Sequence, residues 1–105
     1  MAPGWIAAIV AALTLATSVS ADAATVQITM ENLEISPADA SAKVGDTIEW
    51  INKDIFAHTA TARNGDWDVT LPPKKTATSV LNKAGTVEYY CRFHPNMKAT
   101  LVVAP

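Results

Sequence analysis

The sequence predicts an all-β protein folded as an antiparallel β-sandwich of about seven or eight short strands. Three observations support this fold class. Apolar and polar residues alternate over short stretches, turn residues separate these stretches, and no amphipathic helix pattern follows the N-terminal segment. A length of 105 residues accommodates one domain at most.

The N-terminal segment, residues 1–23, is predicted to be a secretory signal peptide, which leaves residues 24–105 as the folded domain. Trp5 to Val19 is almost continuously apolar, and Ala21-Asp22-Ala23 supplies the small residues that a signal peptidase accepts. This apolar run is short for a membrane span. An uncleaved anchor stays the alternative, because no Lys or Arg precedes Trp5.

The first strands are predicted from residue alternation and from the turns between them. Residues alternate in polarity from Val26 to Met30, and Ser36-Pro37 ends the extended pattern. Ser41 to Val44 and Thr47 to Asn52 are both strand-like, and Gly45-Asp46 between them is a turn. These two strands are therefore predicted to form a hairpin.

The second half of the domain begins with a predicted strand from His58 to Ala62. Residues 63–73 are predicted to be a loop, because Arg63 to Asp66 is rich in turn residues and Pro72-Pro73 cannot continue a central strand. Alternation before Cys91 directs its side chain toward the core. Three further strands complete the prediction, Thr76 to Leu81, Thr86 to Cys91 and Ala99 to Val103.

Composition excludes several functions. The formal net charge is −2, and no basic patch with interleaved aromatic residues is present, so nucleic-acid binding has no support. No Ser or Asp can be matched with a free general base, because both histidines are needed elsewhere, and the chain is not predicted to be an enzyme. Trp50 is predicted to be a core residue and not a redox group.

The chemistry of the chain is concentrated near its C-terminus, where Cys91, His94 and Met97 place a thiolate, an imidazole and a thioether in one short loop. Cys91 is the only cysteine, and His58 is the only other histidine. Soft sulfur donors with imidazole favour copper, and a His₂Cys set with a weak axial Met is typical of blue electron-transfer sites. Ordinary packing of these residues is the alternative. A structural zinc site is disfavoured, since it requires four Cys or His ligands and three are available.

Four segments of the sequence match the motifs of one family of small copper proteins. They are Lys43-Val44-Gly45-Asp46-Thr47, Trp50-Ile51-Asn52 with His58 six residues after Asn52, Ala84-Gly85-Thr86, and Tyr89-x-Cys91-x-x-His94-Pro95-x-Met97 running into Leu101-Val102-Val103. With these motifs the chain resembles the amicyanins, which belong to the small plastocyanin-like cupredoxins, the type 1 blue copper proteins. The departures from the family pattern are Ala57, Arg92-Phe93 and Asn96.

The resemblance implies a Greek-key β-sandwich with one type 1 copper ion, and His58, Cys91, His94 and Met97 as its ligands. It also implies a periplasmic electron carrier, monomeric and soluble once the leader is removed. Its transient redox partners would be proteins such as a c-type cytochrome or a periplasmic dehydrogenase. A periplasmic copper chaperone or storage protein is the alternative function.

The resemblance gives two further residues expected roles. Asn52 ties the two ligand loops together by hydrogen bonds in the family, although here it could simply end a strand. In the amicyanins a proline, which has no N–H, stands at the position of Phe93. We therefore predict that the Phe93 N–H joins the Thr59 N–H as a second hydrogen-bond donor to the Cys91 sulfur. The alternative is that Phe93 only enlarges an apolar rim.

Overall fold

The computed structural model describes residues 22–105, which form nine β-strands in two sheets and, within that range, no helix. The predicted β-sandwich is confirmed. The predicted leader lies outside the described residues except for Asp22 and Ala23. No helix of this range is long and apolar enough to cross a membrane. The strands are β1 (Thr25–Glu31), β2 (Glu34–Ser36), β3 (Asp39–Lys43), β4 (Thr47–Asn52), β5 (His58–Ala62), β6 (Asp68–Leu71), β7 (Thr76–Val80), β8 (Gly85–Cys91) and β9 (His94–Ala104).

The two sheets have the strand orders β2-β1-β4-β7 and β3-β9-β8-β5-β6. Most neighbouring strands are antiparallel, as predicted, but β1 pairs with β4 in parallel and β3 pairs with β9 in parallel. Both parallel pairs join strands that are not consecutive in the chain, and the consecutive strands β3 and β4 belong to opposite sheets. Each sheet therefore mixes the two pairing directions.

The predicted hairpin between Ser41 to Val44 and Thr47 to Asn52 is wrong. Gly45, with φ of 94°, and Asp46 form the predicted turn, but this turn carries the chain across the sandwich from one sheet to the other. Both strands alternate in polarity because each lays one face on the shared core, and this local pattern is the same for a hairpin and for a crossing between sheets.

The predicted loop over residues 63–73 is also wrong in part, because β6 lies within it and pairs with β5. β6 is an edge strand, and Pro72 follows its last residue, where a proline removes no ladder hydrogen bond. Leu71 is fully buried at the end of the strand. Burial of this side chain favours a strand where the turn residues indicated a loop.

The core between the sheets is built on three aromatic rings. Trp50 is 1% exposed, which confirms the core role predicted for it, and its Nε1 donates a hydrogen bond of 2.6 Å to Ser79 Oγ. The Trp50 ring centroid lies 5.4 Å from those of Trp67 and Tyr89. Aromatic pairs at this separation and in tilted or edge-on geometry add to the stabilisation from burial. This packing holds β4 against β8, the strand that ends at Cys91.

Candidate metal centre

Cys91 and His94 lie on either side of a tight turn. β8 ends at Cys91 and β9 begins at His94, the two residues pair with each other, and only Arg92 and Phe93 lie between them. The segment predicted as a loop is thus largely a hairpin, and β9 starts earlier than predicted. The pairing register shifts between Tyr90 and Cys91. Such irregularities redirect side chains, and here Cys91 points into the protein and is fully buried, as predicted.

His58 reaches the same place from the other side of β8. It is the first residue of β5, is fully buried, and follows the segment that connects β4 to β5. β5 pairs with β8 through Thr61 and Tyr90 and through Ala62 and Tyr89. This pairing aligns the start of β5 with the end of β8. The sheet therefore brings together two residues that are 33 positions apart in the chain.

The donor atoms of His58, Cys91 and His94 all lie within 4.8 Å of one another. Cys91 Sγ is 3.6 Å from His58 Nδ1 and 3.7 Å from His94 Nδ1. Nitrogen and sulfur ligands at about 2.0 and 2.3 Å from a single metal ion would be separated by about 3.5 Å. The three side chains are thus spaced to share one ion. The combination of one thiolate and two imidazoles fits copper.

Met97 is placed close to this group by β9. It lies three residues after His94 in the same strand, and its side chain is buried in the core, with 3% exposure. Its neighbours Asn96 and Lys98 are exposed. The alternation of the strand therefore directs the thioether inward at the end of the sandwich that holds Cys91.

Two hydrogen bonds of Thr59 stabilise the backbone and the sulfur at Cys91. The Thr59 N–H donates to Sγ at 3.3 Å, as predicted, and Thr59 Oγ1 accepts the Arg92 N–H at 2.8 Å. Phe93 makes no hydrogen bond to Sγ in the described part of the chain, so the second donor predicted there is absent. Phe93 instead has 52% exposure at the turn, in agreement with the alternative of an apolar rim.

Asp54 is a residue of the site that the sequence analysis did not identify. Its Oδ2 lies 2.7 Å from His58 Nε2, on the side of the ring opposite to Cys91. Burial disfavours the charged carboxylate, but hydrogen bonds from His58 and from the N–H groups of Asn32 and Leu33 outweigh it and lower the pKa of Asp54. An acidic residue four positions before a candidate histidine ligand was the available signal.

Asn52 stabilises the segment that leads to His58. Its Nδ2 donates to the carbonyl oxygens of Phe56 at 2.8 Å and Leu71 at 3.1 Å, and its Oδ1 accepts the Asp54 N–H at 2.9 Å. None of these bonds reaches the segment from Cys91 to Met97, so Asn52 does not join the two ligand loops in the described structure. It braces the first loop against the end of β6.

Two exposed aromatic side chains lie beside His94 at the surface. His94 is half-buried, whereas Cys91 and His58 are fully buried. Phe56 has 54% exposure, and its ring centroid lies 6.3 Å from that of His94. Phe93, next to His94 in the chain, is 52% exposed. These two residues, Phe56 and Phe93, form an apolar rim beside His94.

A β-sandwich that carries one Cys and two His donors at one end, with a buried Met beside them, defines the cupredoxin class of copper proteins. The sequence bears this out. Residues 4–103 match the model of the cupredoxin-like domain, and the chain belongs to that family.

Three relatives illustrate the similarity. The chain is 32% identical over 82 residues to the methylamine utilization protein MauL of Methylorubrum extorquens, covering 74% of this chain and 72% of MauL. It is 28% identical over 94 residues to amicyanin of Paracoccus versutus, covering 84% of this chain and 70% of amicyanin. The crystal structure of that amicyanin superposes with a TM-score of 0.65 at 25% identity, over 82% of this chain and 85% of amicyanin. A purple cupredoxin from Nitrosopumilus maritimus superposes with a TM-score of 0.66 at 26% identity, over 75% of this chain and 99% of the purple cupredoxin.

Proposed function

We propose that this protein is a periplasmic electron carrier that cycles one copper ion between Cu(II) and Cu(I). His58, Cys91 and His94 would hold the ion through Nδ1, Sγ and Nδ1, and the Met97 thioether would be a fourth, weaker ligand. The observation that carries the proposal is the separation of no more than 4.8 Å among the three donor atoms. Bound copper supplies the one-electron chemistry.

The protein's own residues keep this site rigid and dry. Cys91 and His58 are fully buried, and the hydrogen bonds of Thr59 hold the end of β8 in place. A rigid donor set limits the rearrangement that accompanies a change of oxidation state. Burial also disfavours the alternative of a copper chaperone, because a delivery protein must release its metal through exposed, exchangeable ligands.

Electrons would enter and leave through His94. It is the half-buried ligand of the group, and the apolar rim of Phe56 and Phe93 lies beside it. An exposed apolar rim beside a ligand suits a small and transient redox interface. Suitable partners are a c-type cytochrome or a periplasmic dehydrogenase. The similarity to amicyanin and to a methylamine utilization protein supports a carrier of this kind over an enzyme.

The periplasmic location rests on the proposed signal peptide of residues 1–23. Its apolar run and the small residues at Ala21 and Ala23 support cleavage after Ala23, which leaves a monomeric domain of residues 24–105. Copper would then be bound outside the cytoplasm, after export of the unfolded chain.

The absorption spectrum of the copper-loaded protein tests the proposal. We expect an intense visible charge-transfer band from the Cys91 thiolate, and we expect Cys91→Ser to abolish it. Arg92→Ser, a change at the exposed neighbour of Cys91, serves as the control and should keep the band. A colourless copper complex, or a band that survives Cys91→Ser, would refute the carrier and favour the copper chaperone.

A further inference from the structure

We infer that Asp54 is a positioning residue for the metal centre, which orients His58 and fixes which of its ring nitrogens carries the proton. The inference rests on the proposed function, because it assumes that His58 binds copper. Asp54 contacts His58, the N–H groups of Asn32 and Leu33, and the side chain of Asn52.

The ring of His58 has two different neighbours. Nδ1 lies 3.6 Å from Cys91 Sγ, on the side where the ion would be shared. Nε2 lies 2.7 Å from Asp54 Oδ2 on the opposite side. A metal needs the lone pair of Nδ1, so the proton must reside on Nε2, and only an acceptor can face it there. The Asp54 carboxylate is such an acceptor, and its bond selects the tautomer that binds metal.

Asp54 is itself fixed by the backbone around it. Its Oδ1 accepts the Asn32 N–H at 2.8 Å, and its Oδ2 accepts the Leu33 N–H at 3.2 Å. Its own N–H donates to Asn52 Oδ1 at 2.9 Å, and its carbonyl oxygen accepts the Lys74 N–H at 3.1 Å. A side chain with 11% exposure and this many partners has little freedom to leave the imidazole.

The turn between β1 and β2 takes part in this arrangement. Asn32 and Leu33 both have positive φ, 54° and 60°, which is the backbone of a two-residue hairpin turn of the type that matches the strand twist. In this conformation both N–H groups point at one carboxylate. The turn therefore holds the Asp54 charge beside His58, and Oδ2 serves both the Leu33 N–H and His58 Nε2.

Two consequences follow for the metal. Loss of the Asp54 carboxylate should allow the His58 ring to rotate and to carry its proton on either nitrogen. Loss of an outer hydrogen-bond partner of this kind lowers metal affinity by about 10- to 100-fold. The negative charge also makes the imidazole a stronger donor, which stabilises Cu(II) more than Cu(I). Removal of the charge should therefore raise the reduction potential.

Asp54→Asn, made in the full chain that carries its own leader, tests this inference. Asn presents an amide in the place of the carboxylate, so one N–H must face another N–H, either at His58 or in the β1–β2 turn. We expect Cu(II) affinity to fall about 10- to 100-fold and the potential to rise. Unchanged affinity and potential would overturn the inference.

Asp46→Asn is the matched control. Asp46 is also buried and also accepts two backbone N–H groups, from Ala24 and Lys43, but it touches no candidate ligand. Asp46→Asn should lower the free energy of unfolding without altering the copper affinity or the reduction potential. If both variants weaken copper binding equally, Asp54 acts through general stability and the positioning role is wrong.

Nitrogen-15 NMR of the wild-type protein before copper is added gives a result that does not depend on the folding of any variant, because Nδ1 is then free to carry the proton and the bond to Asp54 is what favours Nε2. We expect a proton on His58 Nε2 that exchanges slowly with water. A proton on Nδ1 would overturn the inference. A wild-type protein without the blue band would instead refute the proposed function, so the two failures are distinguishable.

Discussion

The backbone nitrogen of Ala24 lies 2.8 Å from Oδ1 of Asp46, whose other oxygen accepts the Lys43 N–H at 2.8 Å. Asp46 is 3% exposed, and it thereby fastens the start of the folded domain to the turn between β3 and β4. The proposed cleavage point is the peptide bond just before Ala24. The same atom would thus be an amide nitrogen before processing and a terminal amine afterwards.

We predict that the exported protein begins at Ala24 and that its α-ammonium group pairs with Asp46. An opposite charge raises the pKa of the amine above its ordinary value of about 7.7 to 8.0. The stabilisation is then fully present below that ordinary value and is lost as the pH rises through the raised pKa. Intact mass gives the first residue, and urea unfolding at pH 7 and pH 10 measures the loss.

A chain that keeps Ala23 is the control for this prediction. It has an amide at Ala24, and its amine lies one residue further out, so the alkaline loss of stability should be smaller. Equal losses in the two chains would show that the terminal amine does not pair with Asp46.

A second prediction concerns acid stability. Hydrogen bonds from the N–H groups of Ala24 and Lys43 lower the pKa of Asp46 in the folded protein. The contribution of this group is therefore present above its unfolded pKa, about 3.9, and is lost as the pH falls through the lower folded value. We expect Asp46→Asn to be less stable than wild type at pH 7, with the difference narrowing toward pH 2. A difference that stays constant across this range would contradict the assignment.

A third prediction concerns Tyr89, whose hydroxyl is buried without a hydrogen-bond partner in the described structure. Burial also raises the pKa of this tyrosine, so the hydroxyl stays neutral. A buried polar group without a partner costs about 1 to 3 kcal/mol. We expect Tyr89→Phe to increase the free energy of unfolding by about 1 kcal/mol, measured by urea titration.

Tyr90→Phe makes the same chemical change at the next residue, which is half-buried and stacks with Arg63 through a ring that phenylalanine retains. Its effect should be within about 0.5 kcal/mol. If Tyr89→Phe destabilises the protein instead, the hydroxyl has a bound partner, such as a buried water molecule.

A fourth prediction concerns Phe93. Because its N–H makes no hydrogen bond to Cys91 Sγ, Phe93→Pro and Phe93→Ala should change the reduction potential in the same direction and by similar amounts. Both variants remove an aromatic ring from the rim and admit water near the site. Water favours the more charged Cu(II) form, so the potential should fall. Voltammetry that shows a fall for Phe93→Pro alone would restore the hydrogen-bond hypothesis.

The local features of this protein can be predicted from its amino-acid sequence. Residue alternation predicts which side chains of a strand are buried, because successive side chains point to opposite faces of the sheet. It correctly predicts the burial of Ile48, Trp50, Val87, Tyr89 and Cys91. The candidate cysteine and histidine ligands could also be predicted, since the chain has only one cysteine and two histidines. Residue types that are rare in the chain and that together suit one metal can be identified as candidate ligands without knowledge of the fold.

The features that depend on which strands pair are visible only in the folded protein. Residue alternation is identical whether β4 turns back on β3 or crosses to the other sheet, so pairing with β1 and β7 had to come from packing around Trp50. The bond between Asp54 and His58 depends on the β1–β2 turn, whose residues lie 21 and 22 positions before Asp54. No local pattern encodes contacts over such separations, because they exist only when the core brings distant segments together.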